Sequence, residues 1–139
     1  MQHRPYGTDD NSYKTAGEEP GIRKLVTLFY QYMDSLPEAK SLRAKHRDDI
    51  APSADKLTLF LCGWLGGERR YAKKYGQIRI PTAHQHLDVQ QTHADAWLLC
   101  MEKAAQDSNL DDDLISYLIT QLRVPCERIL AARAHYVSR

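Results

Sequence analysis

The chain has 139 residues, 42% of them hydrophobic, with 19 Lys and Arg against 18 Asp and Glu and a formal net charge of +1. That length suits one domain able to bury a core without staples, and the balanced charge gives no electrostatic reason to expect nucleic acid or an anionic membrane as partner. Cys62, Cys100 and Cys126 are too few and too widely spaced for a disulfide framework or a structural zinc site, so they are expected as reduced, core-filling thiols.

Residues 1–12 are polar, contain Pro5, Gly7 and an Asp-Asp-Asn-Ser run, and are expected to form a disordered or loosely docked arm without chemistry of its own. A first helix begins near Pro20, with Ile22, Leu25, Val26, Phe29 and Met33 at three-and-four spacing. Tyr30 lies at the edge of that face, where its ring can be buried while its hydroxyl needs a partner. Pro37 opens a short helix that keeps Leu42 inward and ends at His46. Pro52 and Ser53 start another, with Leu57, Phe60, Leu61 and Trp64 on one face, and the Gly66-Gly67 pair stops it. Glu68 to Tyr75 is a short basic helix with Tyr71 and Tyr75 on one side. Gln77 to Val89 lacks a sustained period, contains Pro81, His84 and His86, and is expected as a loop with a turn or two of helix. Ala94, Trp97, Leu98, Met101 and Ala105 then mark a core helix. Asp111, Asp112 and Asp113 favour the positive end of a last, long helix striped by Leu114, Tyr117, Leu118 and Leu122, which Pro125 is expected to bend. The pattern is all-α, with about six helices and no competing strand alternation.

Most site chemistries find no support. His84 and His86 point apart on a helix and have no nearby third ligand for zinc. The cysteines sit in apolar helices, no Gly-x-Ser-x-Gly occurs, and Gly66-Gly67 lacks the Lys-Ser or Lys-Thr of a phosphate loop. The run Arg69, Arg70, Lys73 and Lys74 is more simply a solvated helix face than a nucleic-acid contact. A haem needs an apolar slot, one neutral imidazole, polar groups on the opposite side, and cations or hydroxyls for its propionates. This sequence can provide all four, with His84 as one candidate among six histidines.

The ordered set Leu28-Phe29-Tyr30, Leu57 to Leu61, Gly63-Trp64-Leu65-Gly66-Gly67, Tyr71, Tyr75-Gly76, Ala83-His84 and Asp95 to Met101 resembles the group II truncated haemoglobins, from about Ala16 to His135. The resemblance implies a two-over-two helical sandwich around haem b (iron protoporphyrin IX), with residues 1–13 as an N-terminal extension and 14–139 as the globin domain. It implies His84 as the proximal iron ligand, its other ring nitrogen oriented by a backbone carbonyl. Tyr30 matches the distal tyrosine and Trp97 the distal tryptophan, with His46 as a third distal candidate; Tyr30 or His46 could also serve as sixth ligand to ferric iron. Ser53 stands where larger globins keep a distal histidine, with Leu57 one turn on and Phe60 beyond it on the haem side. Lys56, Arg69, Tyr71 and Arg79 are the propionate candidates.

Departures from the family pattern include Gly17 and Gly21 around Pro20, Ala83 at a position often basic, and His86 just after the proximal histidine, where it could replace His84 as ligand. The implied function is reversible binding of dioxygen, nitric oxide or carbon monoxide, with a polar distal side that slows release. The rival readings are a haem redox enzyme, such as a nitric oxide dioxygenase or a peroxidase-like protein fed by a reductase, and a haem-free all-α interaction module. No apolar run reaches transmembrane length and no secretory signal stands at the N-terminus, so the sequence predicts a cytoplasmic protein.

Overall fold

The structure is a computed structural model that describes residues 6–138. Among those residues it is all-helical: α1 (Asn11–Thr15), α2 (Glu18–Ser35), a 3-10 turn (Pro37–Ala39), α3 (Lys40–Ala44), α4 (Ala51–Trp64), α5 (Arg70–Tyr75), α6 (Ile80–His84), α7 (Gln91–Asp107) and α8 (Asp112–Val137).

The apolar spacing in α2 produces the expected buried face. Ile22, Leu25, Val26, Phe29 and Met33 are each no more than 1% exposed. They pack against both α4 and α7, and α7 in turn packs against α8. The pairs α2–α4 and α7–α8 form the two layers of the sandwich. Ala96, Ala104 and Ala105 are buried on α7, where small side chains let neighbouring helices approach closely. Thr58 is the buried polar residue of α4, and its hydroxyl donates to the Ala54 carbonyl at 2.8 Å.

α2 starts at Glu18, two residues before Pro20, after Gly17 takes a left-handed φ of 95°. The two extra residues are Glu18 and Glu19, whose carboxylates suit the positive end of the helix, and Glu19 binds Arg70 of α5 at 2.6 Å. α8 continues past Pro125 to Val137, so the proline does not end it.

From Tyr6 onward the N-terminal arm is docked. Ser12 is 1% exposed and its hydroxyl accepts the Gly7 N–H at 2.9 Å, while the Tyr6 ring lies 5.4 Å from that of Tyr117. The earlier part of the arm, residues 1–5, lies outside the described residues. The docking gives the glycine pair after α4 a second purpose. A Cβ on Gly66 would stand 2.0 Å from the Asp9 carbonyl oxygen, and one on Gly67 would stand 2.7 Å from the Tyr13 ring. Tyr13 N–H donates to the Leu65 carbonyl at 3.0 Å, so the chain crosses itself where only glycine leaves room.

Candidate functional site

The two layers and the short helices α3, α5 and α6 enclose a cavity of about 390 Å³. Its walls are mainly apolar, with Leu57 and Phe60 from α4, Ile80 from α6, Leu87 and Val89 from the following loop, and Leu122 and Ile129 from α8. Leu57, Phe60, Trp97 and His84 are all half-buried, as side chains facing a void must be.

His84 stands at the C-terminal end of α6, whose first turn contains Pro81. Its Nδ1 lies 2.7 Å from the Ile80 carbonyl oxygen. A carbonyl only accepts, so Nδ1 carries the proton and Nε2 keeps the lone pair that a metal would use. Arg133 of α8 donates to the Gln85 carbonyl at 3.2 Å and secures the turn after the histidine. His86 is exposed and does not line the cavity.

Tyr30 and Trp97 also line the cavity, and both are braced by Phe29, whose ring centroid lies 5.0 Å from each of theirs. Among the described residues neither the Tyr30 hydroxyl nor the Trp97 indole N–H has a hydrogen-bond partner. Burial pushes the Tyr30 phenol up to about 12, against a smaller lowering by Arg43, so it stays a protonated donor at any physiological pH. His46 stacks edge-on to Tyr30 at 5.9 Å, and its Nδ1 donates to the Leu42 carbonyl at 3.0 Å. The neutral ring therefore offers an acceptor at Nε2, not a donor. Arg43 holds the chain beyond it, bonding Asp34 at 2.6 Å and the carbonyls of Arg47 and Asp48 at 2.9 and 3.0 Å.

Of the remaining sequence-predicted residues, Ser53, Lys56 and Tyr71 line the cavity, whereas Arg69 and Arg79 do not; these two are exposed and precede α5 and α6. Lys45, His93 and Cys126 line it without having been singled out. Lys45 and His93 had a weak signal, one beside His46 and the other one helical turn before Trp97. Cys126 had none, since its spacing is that of any core thiol. Burial pushes that thiol up to about 11, so it is uncharged.

Asp55 fastens α5 to the cavity wall. Its carboxylate accepts from Lys74 at 2.8 Å and from the Tyr75 hydroxyl at 2.6 Å, with Arg23 at 3.5 Å, and Tyr75 stacks on Tyr71 at 5.2 Å. The bonds from Lys74 and Tyr75 hold the Asp55 carboxyl down to about 2, below its ordinary 3.8. A lowered carboxylate stabilises the fold above its ordinary value and loses that contribution as pH falls from 3.8 toward 2. Asp55→Asn should thus lower the thermal midpoint at neutral pH and flatten its fall through that acid window, as scanning calorimetry would show. An unchanged acid limb would rule out the clamp.

Among the described residues no group of three or more His, Cys, Asp or Glu could hold a metal. The protein offers instead the His84 imidazole at an apolar slot that His46 and His93 also line, with two unused donors and the cations Lys45 and Lys56 on its wall. That donor set fits a haem, which brings four of its own metal ligands.

A family profile of bacterial-like globins matches residues 11–126. The chain belongs to that family. It is 28% identical over 118 residues to the group 2 truncated hemoglobin YjbI of Bacillus subtilis, covering 85% of this globin and 86% of the relative. The group II 2-on-2 hemoglobin of Agrobacterium tumefaciens superposes with a TM-score of 0.78 at 27% identity, covering 92% of this globin and 96% of that chain. The truncated oxygen-avid haemoglobin of B. subtilis gives 0.71 at 28% identity, covering 88% and 96%. The globin is thus a group II truncated haemoglobin with the two-over-two fold, and membership implies a haem cofactor. Among the described residues no helix is long and apolar enough to cross a membrane.

Proposed function

We propose that this globin holds haem b through His84 and reversibly binds dioxygen and other diatomic ligands, releasing them slowly. His84 would hold the haem, which would supply an iron able to take a small diatomic ligand. The observation that carries the reading is the pairing of His84, its Nδ1 proton committed to Ile80, with the unused donors of Tyr30 and Trp97 in one cavity. The Ile80 carbonyl fixes the tautomer and the orientation of the imidazole. Tyr30 and Trp97 can each donate a hydrogen bond to a ligand, and the apolar walls keep competing water scarce. The His46 ring packs edge-on against that of Tyr30, with centroids 5.9 Å apart, and helps hold the phenol in place. Lys45, Lys56 and Tyr71 are the groups on the cavity wall suited to propionates. The description of the B. subtilis relative as oxygen-avid supports the same reading.

Absorption spectra of the purified, haem-reconstituted protein, taken before and after reduction and then under carbon monoxide, test it directly. The expected result is a Soret band that shifts at each step, with dioxygen dissociation in stopped flow slower than from a pocket lacking donors. A sample that takes up no haem would instead support an all-α interaction module.

A further inference from the structure

His93 is a buried polar residue of the cavity wall that the reading above leaves without a purpose. It is 7% exposed, stands in the first turn of α7, and has both ring nitrogens engaged. Gln90 N–H donates to Nδ1 at 2.9 Å, and Nε2 lies 2.8 Å from the Ser41 hydroxyl on α3. A backbone N–H only donates, so Nδ1 is the lone-pair nitrogen and Nε2 carries the proton given to Ser41. This tautomer is the reverse of those at His84 and His46. We propose that His93 is a positioning residue for the distal pocket: its neutral form ties α3 to α7 through Ser41 and caps the start of α7 through Gln90, and protonation of Nδ1 breaks that cap.

The tie joins the parts of the wall that carry the distal groups. α3 and the residue pair after it supply Leu42, Lys45 and His46, while α7 supplies Ala94 and, one turn beyond His93, Trp97. Gln90 ends the loop that leaves His84, so the bond to Nδ1 also fixes that loop at its far end. A protonated ring has donors at both nitrogens and repels the Gln90 N–H, which then has no acceptor. An unsatisfied N–H at this place undoes the cap of α7, as loss of a capping residue would.

The surroundings favour the neutral ring. Burial and then Lys45 push His93 below the ordinary 6.5, with Asp88 in the connecting loop opposing them. The other titratable groups lining the cavity are the Tyr30 phenol on α2, the Lys56 ammonium on α4, the Tyr71 hydroxyl on α5, the Cys126 thiol on α8, and the His46 and His84 imidazoles. A histidine held below its ordinary value stabilises the fold above that value. The contribution is lost as pH falls from 6.5 toward the lowered value. The loss of the cap therefore belongs to mild acid.

This inference rests on the proposed ligand binding only for its kinetic readout. The test uses the haem-loaded protein in its diamagnetic ferrous carbon monoxide form, with the His93 ring nitrogens followed by ¹⁵N NMR from about pH 8 to about pH 5. Dioxygen dissociation is measured over the same range. Nδ1 should be unprotonated at neutral pH and titrate below 6.5. The wild-type dissociation rate should rise about threefold or more in acid, the scale of losing one cap. Glutamine is the usual reach-back residue of a capping box, so His93→Gln should keep the neutral rate and abolish the rise. His93→Leu should be fast at every pH. A full acid rise in His93→Gln, or an Nδ1 protonated at neutral pH, would overturn the proposal. A protein that binds no haem fails the earlier reading instead, and there the NMR titration alone decides, with a midpoint at or above 6.5 counting against the cap.

Discussion

His84→Ala should leave a folded helical protein that no longer retains haem. The histidine is half-buried at the end of a helix of 5 residues and contributes nothing to the buried apolar core, so its loss removes little packing. What disappears is the imidazole whose Nδ1 proton is committed to Ile80 and whose Nε2 would hold the metal. Losing a mere orienting partner of such a ligand costs about 10- to 100-fold in affinity, so losing the ligand itself should speed haem transfer to an acceptor globin by at least about a hundredfold. The circular dichroism of the apoprotein should match that of the wild-type apoprotein, and haem-dependent thermal stabilisation should vanish. Free imidazole should restore a Soret band in the variant, because it fits the space left and supplies the same nitrogen. His86→Ala should change neither spectrum nor transfer rate, since His86 is exposed outside the cavity. Retention of haem by His84→Ala at the wild-type rate would exclude His84 as the ligand.

The parts of this molecule that could be read from the sequence are those where one helix carries its own pattern. The stripe from Ile22 to Met33 predicts a buried face, and that face is almost fully excluded from water. Features formed between segments distant in sequence were not legible in the same way. Lys45, His93 and Cys126 reach one cavity from α3, α7 and α8, and nothing in their local spacing separates them from surface or core residues. Arg69 and Arg79 show the converse: their charge suits a propionate, but each stands just before a short helix and faces solvent. Gly66-Gly67 can be read as a helix stop, but its contacts with Asp9 and Tyr13 require knowing where the arm runs. The donor state of His46 depends on a carbonyl four residues earlier, which sequence can place only once the helix is known.

Tyr30→Phe should be the cleanest measure of distal control. The substitution keeps the ring and hence the contacts with Phe29 at 5.0 Å and His46 at 5.9 Å, and removes only the hydroxyl. Because that phenol is pushed up to about 12, its donor is present across the physiological range, and the effect of removing it should not vary with pH. Trp97→Phe removes the indole N–H while leaving an aromatic ring against Phe29. Each hydrogen bond to a polarised ligand is worth roughly 1.5 kcal/mol, so each variant should release dioxygen about ten times faster in stopped flow. The double variant should approach about a hundredfold if the donors act independently, and fall short if they are coupled through the shared Phe29 contact. Carbon monoxide is a weaker hydrogen-bond acceptor than dioxygen, so its dissociation should change less, which separates lost hydrogen bonds from a merely loosened pocket. Dioxygen dissociation within about twofold of wild type in both single variants would mean that neither donor reaches the ligand, since a lost hydrogen bond of ordinary strength exceeds that change.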